Sequence, residues 1–230
     1  MKVFYTLFGM VLPSLVLMPM VSNVSGAGGE GGEVISLPEP QTDSSVSIEG
    51  ALKQRRSERD YSDDAIKLTD LSQLLWAAQG ITHRRGYRTA PSAGALYPLE
   101  AYVVAGKVEG LAAGVYKYQP QRHRLLQVAS GDRRGDLAAA ALGQSFIKRG
   151  PASIVFAAVY ERTTRKYRER GIRYVHMEVG HAAQNVHLQA VSLNLGTVVI
   201  GAFYDEKVHK IVGSPDDEAP LIIMPVGKRR

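Results

Sequence analysis

Apolar and polar residues fall into blocks along the chain, and the spacing within each block predicts its element. Val175, Val179, Ala182, Val186, Ala190 and Leu193 recur at steps of three or four. That is one stripe on an α-helix, and Gly196 is placed to end it. Leu71, Leu74, Leu75 and Ala78 repeat the spacing, with Thr69 positioned as a cap and Gly80 as a terminator. Shorter helices are predicted over residues 48–57, 136–146 and 205–212, the first ending in a basic cluster. Apolar runs of strand length cover 100–105, 154–160, 197–203 and 221–226. The run at 154–160 is unbroken, as in a strand buried on both faces. Residues 115–118 and 125–128 flank Gln119-Pro120 and read as a hairpin. Helices and strands in this order predict an α+β domain, a mixed sheet covered by helices.

The N-terminal pattern is different. Lys2 precedes an apolar run over 3–21, and Ser25-Gly26-Ala27 supplies the small residues of a cleavage site. The run is long enough to cross a bilayer, although Pro13 and Pro19 interrupt it. Residues 1–27 therefore read as a signal peptide or an uncleaved anchor. Either places the rest outside the cytoplasm, periplasmic or secreted, with membrane contact only through a retained leader. GGEGG and a Pro-, Ser- and acid-rich stretch follow, so residues 28–47 are expected to be a flexible linker and 48–230 the folded domain.

Composition removes several chemistries. With 45% hydrophobic and 22% charged residues the 230-residue chain is a folding one. It has no cysteine, which excludes thiolate catalysis, Cys-bound metals and disulfides. The net charge of +6 favours anionic partners without choosing among them. The histidines of His176-Met-Glu-Val-Gly-His181 are five apart, whereas a zinc-protease helix needs four, so no metal site is expected. No G-x-S-x-G or dinucleotide fingerprint occurs. The arginine-rich stretch 162–173 has few aromatics to stack on bases, and nucleic acid is not an expected partner.

Arg55-Arg56-Ser57-Glu58-Arg59 puts three guanidiniums and a hydroxyl within five residues, a set suited to a dianionic phosphate. Pro91-Ser92-Ala93-Gly94-Ala95-Leu96-Tyr97-Pro98 is a small-residue loop whose backbone can approach a ligand closely. Gly201-Ala202 interrupts an apolar strand with the same effect. Lys228 and Arg229, beyond the last strand, can return charge to the phosphate.

RRSERDY (55–61), APSAGALYPLEAYVV (90–104), GHAAQNVHLQAVSLNLGTVVIGAFYDEKV (180–208) and PLIIMPVGKR (220–229) resemble the nitroreductase superfamily. More narrowly they resemble its SagB-type, thiazole/oxazole-forming dehydrogenase branch. The resemblance implies an intertwined homodimer with FMN at the subunit interface. It assigns Arg55, Arg56, Ser57 and Arg59 to the FMN phosphate and ribityl chain, completed by Arg229 and Lys228. Pro91, Ser92 and Ala93 would approach the FMN of the second protomer, and Ile200, Gly201 and Ala202 would lie along its ring. In the azoline-oxidising branch a Lys-Tyr pair precedes the long helix, and Lys166-Tyr167 stands there in this chain. Aromatising an azoline removes a carbon-bound proton as well as a hydride. A neutral lysine, or a tyrosine beside a cation, can take the proton. Ordinary residues of a basic loop remain the other reading of the pair. The expected activity is an exported, FMN-dependent oxidation or reduction of a small or peptide-derived substrate. An NAD(P)H-fed nitro- or quinone reductase and a non-catalytic flavin-binding homologue stay open.

Overall fold

The computed structural model describes residues 32–230, and the leader expected at 1–27 lies outside them. In chain order the elements are β1 (Val34–Ser36), α1 (Ile48–Gln54), β2 (Ile66–Lys67), α2 (Leu68–Gln79), β3 (Leu99–Ala105), β4 (Val108–Glu109), β5 (Gly114–Gln119) and β6 (Arg124–Ser130). They continue with α3 (Arg134–Ala140), α4 (Ser145–Arg149), β7 (Ala152–Ala158), α5 (Glu161–Tyr167), α6 (Arg170–Ser192), β8 (Leu195–Thr197), α7 (Asp205–Val212) and β9 (Ala219–Lys228). Seven strands form one sheet in the order β1-β6-β5-β3-β7-β9-β8. The expected α+β fold is present, with every pairing in that sheet antiparallel. The parallel pairing is the small β2–β4 ladder beside it.

Side chains on successive strand positions face opposite ways, and here both faces are covered. Val103, Ile154, Phe156 and Met224 meet α2 and α6 on one face, where Leu74, Val175, Val179, Ala182 and Val186 are buried. Tyr102, Val104, Val155 and Ile223 face the other way, toward Leu137, Ile147, Val208 and Val212. β7 is buried along its whole length, as its unbroken apolar run predicted. Each fully buried valine of the α6 stripe contributes roughly 1.5–3 kcal/mol.

Several boundaries differ from expectation. Within the stretch expected as a linker, Val34–Ser36 form β1, which pairs with β6, and Leu37 is buried. His123 staples this segment. Its backbone is left-handed (φ 42°), its carbonyl accepts from Leu37 N–H at 3.1 Å, and its Nε2 lies 2.9 Å from the Pro38 carbonyl and 2.8 Å from the Ser72 hydroxyl. The Tyr118 hydroxyl meets its Nδ1 at 2.8 Å. α2 is capped by Lys67 with Asp70, not by Thr69. The helix expected over 136–146 is two, because Leu142 and Gly143 adopt positive φ. Gly196 sits inside β8, where a Cβ would strike the Glu58 side chain; the left-handed residue after α6 is Asn194. The strand expected over 197–203 ends at Thr197 and touches the sheet again only at Ile200↔Ile223.

Candidate functional site

Two clusters of the sequence-assigned residues are built against α6. The first forms where α5, α6 and residues 91–98 meet. Ser92 closes that loop, its hydroxyl accepting from Tyr97 N–H at 2.9 Å and its carbonyl from Ala95 N–H at 3.0 Å. The turn requires positive φ at Gly94 (65°), Ala95 (54°) and Tyr97 (47°). Two of these carry a Cβ, a conformation that persists only where surroundings enforce it. Arg88 and Arg162 supply the enforcement. Arg88 N–H donates to the Tyr97 hydroxyl at 3.1 Å, and its guanidinium lies 4.7 Å from the Tyr97 ring centroid. Arg162 donates to the Tyr97 carbonyl at 3.1 Å and pairs with Glu100 at 2.6 Å.

Lys166 and Tyr167 reach this loop from the last turn of α5, so the segment expected as a basic loop is helical. A Cβ at position 94 would lie 2.9 Å from the Tyr167 hydroxyl and 3.0 Å from Lys166 Nζ. Glycine there serves both the backbone angle and the close approach. Lys166 Nζ also lies 5.3 Å from the Tyr167 ring centroid, and Tyr174 meets that ring edge-on at 5.1 Å. Arg168, at φ 53° and ψ −142°, turns the chain from α5 into α6.

Beneath the loop is Glu178, only 2% exposed. Burial pushes its carboxyl up to about 7, against the opposing pull of the Ser92 hydroxyl and the Arg88 guanidinium. Its Oε1 has no hydrogen-bond partner. Sequence reasoning passed over this residue with the histidines around it. The signal was there: Glu178 stands three residues after Val175 and four before Ala182, on the buried stripe. A carboxylate at a core-facing position is rare without a task.

The second cluster lies at the ends of β8 and β9. Glu58 N–H donates to the Thr197 carbonyl and Ser62 N–H to the Lys228 carbonyl, each at 3.0 Å. Tyr61 bridges to Arg229 and is fully buried. Burial raises its hydroxyl well above the ordinary tyrosine range, despite Arg59 and Arg149 nearby. These bonds bring Arg59, Lys228 and Arg229 to one edge of the molecule. The helix expected over 48–57 stops at Gln54, so the arginine cluster follows α1 in irregular chain rather than on its last turn. Arg56 turns back to donate to the Lys53 and Arg55 carbonyls, at 3.1 and 2.7 Å. Arg59 lies 5.9 Å from the Phe146 ring centroid. Arg55 faces α6, where its charge reinforces burial in lowering His187 to about 4. Ser57 is exposed.

Ile200 stands three residues beyond Thr197 and so within about 10 Å of chain from the contact with Glu58, and Ala202, five residues beyond, within about 18 Å. Ile200 is held by paired bonds to Ile223, each 2.9 Å. Gly201 is exposed, and a Cβ there would meet nothing in this chain. Pro91, Ser92 and Ala93 belong to the first cluster. Glu178, which Ser92 bonds, and His187, which feels the Arg55 charge, are nine residues apart on α6, about 13.5 Å along the helix. The chain thus presents the two sets of residues at separate places.

The sequence profile of the Nitroreductase family matches residues 52–228. The chain belongs to the nitroreductase family. This nitroreductase-family member is 49% identical over 195 residues to "Putative nitroreductase MJ1384" of Methanocaldococcus jannaschii, covering 85% of this chain and 96% of that one. Among solved structures, a nitroreductase-like protein of Ralstonia eutropha superposes with a TM-score of 0.76 at 30% identity, covering 89% of this chain and 93% of its own. A chain of the Escherichia coli microcin synthetase McbBCD complex, solved with truncated pro-MccB17 bound, matches at a TM-score of 0.67 and 28% identity. That match covers 84% of this family member and 77% of the synthetase chain.

Proposed function

We propose that this protein is an FMN-dependent oxidoreductase of the SagB-type branch, working as a homodimer on a small or peptide-derived substrate. The observation that carries the reading is the seating of Lys166 and Tyr167 over Gly94. It joins two motifs about seventy residues apart in sequence into one constellation beside a close-approach loop. The cofactor assignment is supported by the chemistry of the donors. Arg59, Lys228 and Arg229 offer charge to a terminal phosphate, and Gly201 leaves backbone open to a flat ring. Bound FMN supplies two-electron transfer as a hydride at its N5 atom. Lys166 and Tyr167 hold or take the proton that leaves or joins the substrate carbon, and Arg88 and Arg162 keep the loop beneath them in place.

The separation of the two clusters along α6 favours a dimer, in which residues 91–93 of one protomer face the phosphate cluster of the other. Exposed Ile48 on α1 borders a groove of about 680 Å³ between residues 41–51, α2 and α6, a surface suited to a second copy. Export through the leader at 1–27 is part of the proposal, and it favours oxygen or a quinone over a reduced nicotinamide as redox partner. Among the described residues no helix is long and apolar enough to cross a membrane.

The test is purification followed by absorption spectroscopy and identification of the flavin released on denaturation. Yellow protein releasing FMN supports the reading, and colourless protein that takes up no FMN overturns it. Lys166→Ala and Tyr167→Phe should retain FMN and slow flavin reduction by substrate roughly 10²–10⁴-fold. Parent-like turnover in both would leave a flavoprotein whose acid or base lies elsewhere.

A further inference from the structure

We propose that the cavity lined by Arg88, Arg122 and Arg124, between β3, the β5–β6 hairpin and the start of α5, binds the phosphate group of a small molecule. The inference goes beyond the flavin reading and does not rest on it. The cavity is about 400 Å³, within the range of small-molecule sites. Its walls come from parts of the chain far apart in sequence, and the sheet brings them together. Gln119 lies opposite Arg124 in the β5–β6 pairing, and Lys117 opposite Tyr102 in β3–β5. Residues two apart on a strand share a face, so Glu100, Lys117, Gln119 and Arg124 point to one side of the sheet. The turn at residues 120–122 adds Arg122, and α5 adds Arg162 from its first turn. Arg88 comes from the chain between α2 and β3.

Four arginines and Lys117 line this space against the single carboxylate of Glu100. Glu100 is already engaged, by Arg162 at 2.6 Å and by Lys117 at 3.3 Å. Lys117 is engaged again by Glu218, at 2.5 Å. Among the described residues Arg88, Arg122 and Arg124 have no ion-pair partner. Arg88 and Arg124 donate to neutral amides instead, to Gln79 Oε1 at 2.7 Å and to Gln119 Oε1 at 2.6 Å. Those bonds hold two guanidiniums in place and leave their charge uncompensated. Arg88 is half-buried, and burial pulls its guanidinium below the ordinary arginine range against the opposing charges of Glu100 and Glu178. A partly buried cation among other cations destabilises the fold, and a bound anion relieves it. The shape of that anion follows from where the donors start. They come from three separate stretches of chain and approach from different directions. A carboxylate offers two oxygens in one plane, whereas a phosphate dianion offers three in a tetrahedral array.

Calorimetric titration of the purified protein with inorganic pyrophosphate tests the site, with succinate at matched ionic strength as the carboxylate control. Pyrophosphate should bind, and succinate should bind at least about tenfold more weakly. Arg122→Gln with Arg124→Gln should weaken pyrophosphate at least about tenfold while circular dichroism stays that of the parent. Arg122→Gln alone, at an exposed position, should weaken it in the same direction without touching the fold. Arg84→Gln with Arg85→Gln removes as much charge from exposed positions outside the cavity and should bind as the parent does. Pyrophosphate should slow amide hydrogen exchange across residues 118–124. Absence of pyrophosphate binding, equally tight succinate, or an equal loss in the two double variants would overturn the proposal. So would protection confined to residues 55–59 and 228–229, which would put the anion in the other cluster. Capture of phosphatidic acid vesicles that is lost with Arg122 and Arg124 would make a lipid headgroup the source of the phosphate, and pyrophosphate binding without such capture a soluble ester.

Discussion

Glu178→Gln should uncover a pH dependence of stability that the parent conceals. Burial raises Glu178 from 4.5 to about 7. Burial, then the Arg55 charge, lowers His187 from 6.5 to about 4. Between pH 4.5 and 7 the folded protein keeps a proton on Glu178 that the unfolded chain has released, so this group's contribution falls as pH rises and then levels off. Between pH 6.5 and 4 the unfolded chain takes a proton that buried His187 refuses, so its contribution falls as pH drops. A tenfold change in proton affinity is worth about 1.4 kcal/mol. Each window is about two and a half pH units wide, which caps each effect near 3 kcal/mol. The two slopes oppose one another from about pH 4.5 to 6.5, so their sum is nearly flat there. Glutamine at 178 removes one slope. The variant should gain about 2–3 kcal/mol between pH 4 and 6.5, and at pH 8 it should be more stable than the parent. Urea denaturation at matched flavin content, at intervals from pH 4 to 8, measures both. Parallel curves for variant and parent, or a less stable variant at pH 8, would refute the opposed titrations.

Gly94→Ala should cost about 1 kcal/mol from its positive φ, and its Cβ should displace Lys166 and Tyr167, so turnover should fall more than stability in paired kinetic and melting measurements. Arg59→Ala with Arg229→Ala should release FMN on gel filtration, each lost charge-assisted bond being worth roughly 1.5–3 kcal/mol, whereas Arg56→Ala, whose guanidinium turns back on α1, should retain it. His123→Ala removes contacts to Pro38, Ser72 and Tyr118 together and should lower unfolding free energy by about 1–3 kcal/mol, with early thermolysin cleavage near residues 37–47.

The long helix, the buried strand β7 and the 119–124 hairpin were legible in the sequence because one periodicity governs each from end to end. Boundaries set by a single backbone angle were not: Leu142 adopts positive φ with an ordinary side chain that nothing marks, and Asn194, a residue type that tolerates this angle, was overshadowed by Gly196 two places on. β1 was missed because three residues with one buried neighbour carry no pattern; its order comes from β6 and from a histidine about ninety residues away. In the site, the residue types of the arginine cluster and of the Lys-Tyr pair were readable. Their directions were not. That Arg56 faces its own helix and Arg55 faces His187 follows from where α1 stops, which its spacing overshot by three residues.

β1 also bears on how the chain behaves in solution when shortened. It is one of the two edge strands of the seven, and it pairs with Arg124–Leu126 of β6, a strand with Val128 already 39% exposed. A chain begun at Ile48, where the hydrophobic pattern suggests the domain starts, would keep every catalytic candidate named above. It would also present an uncapped edge to its neighbours, the template on which strands add between molecules. The three residues Val34–Ser36 therefore act as a guard against self-association, and their removal should be seen first as turbidity rather than as lost chemistry.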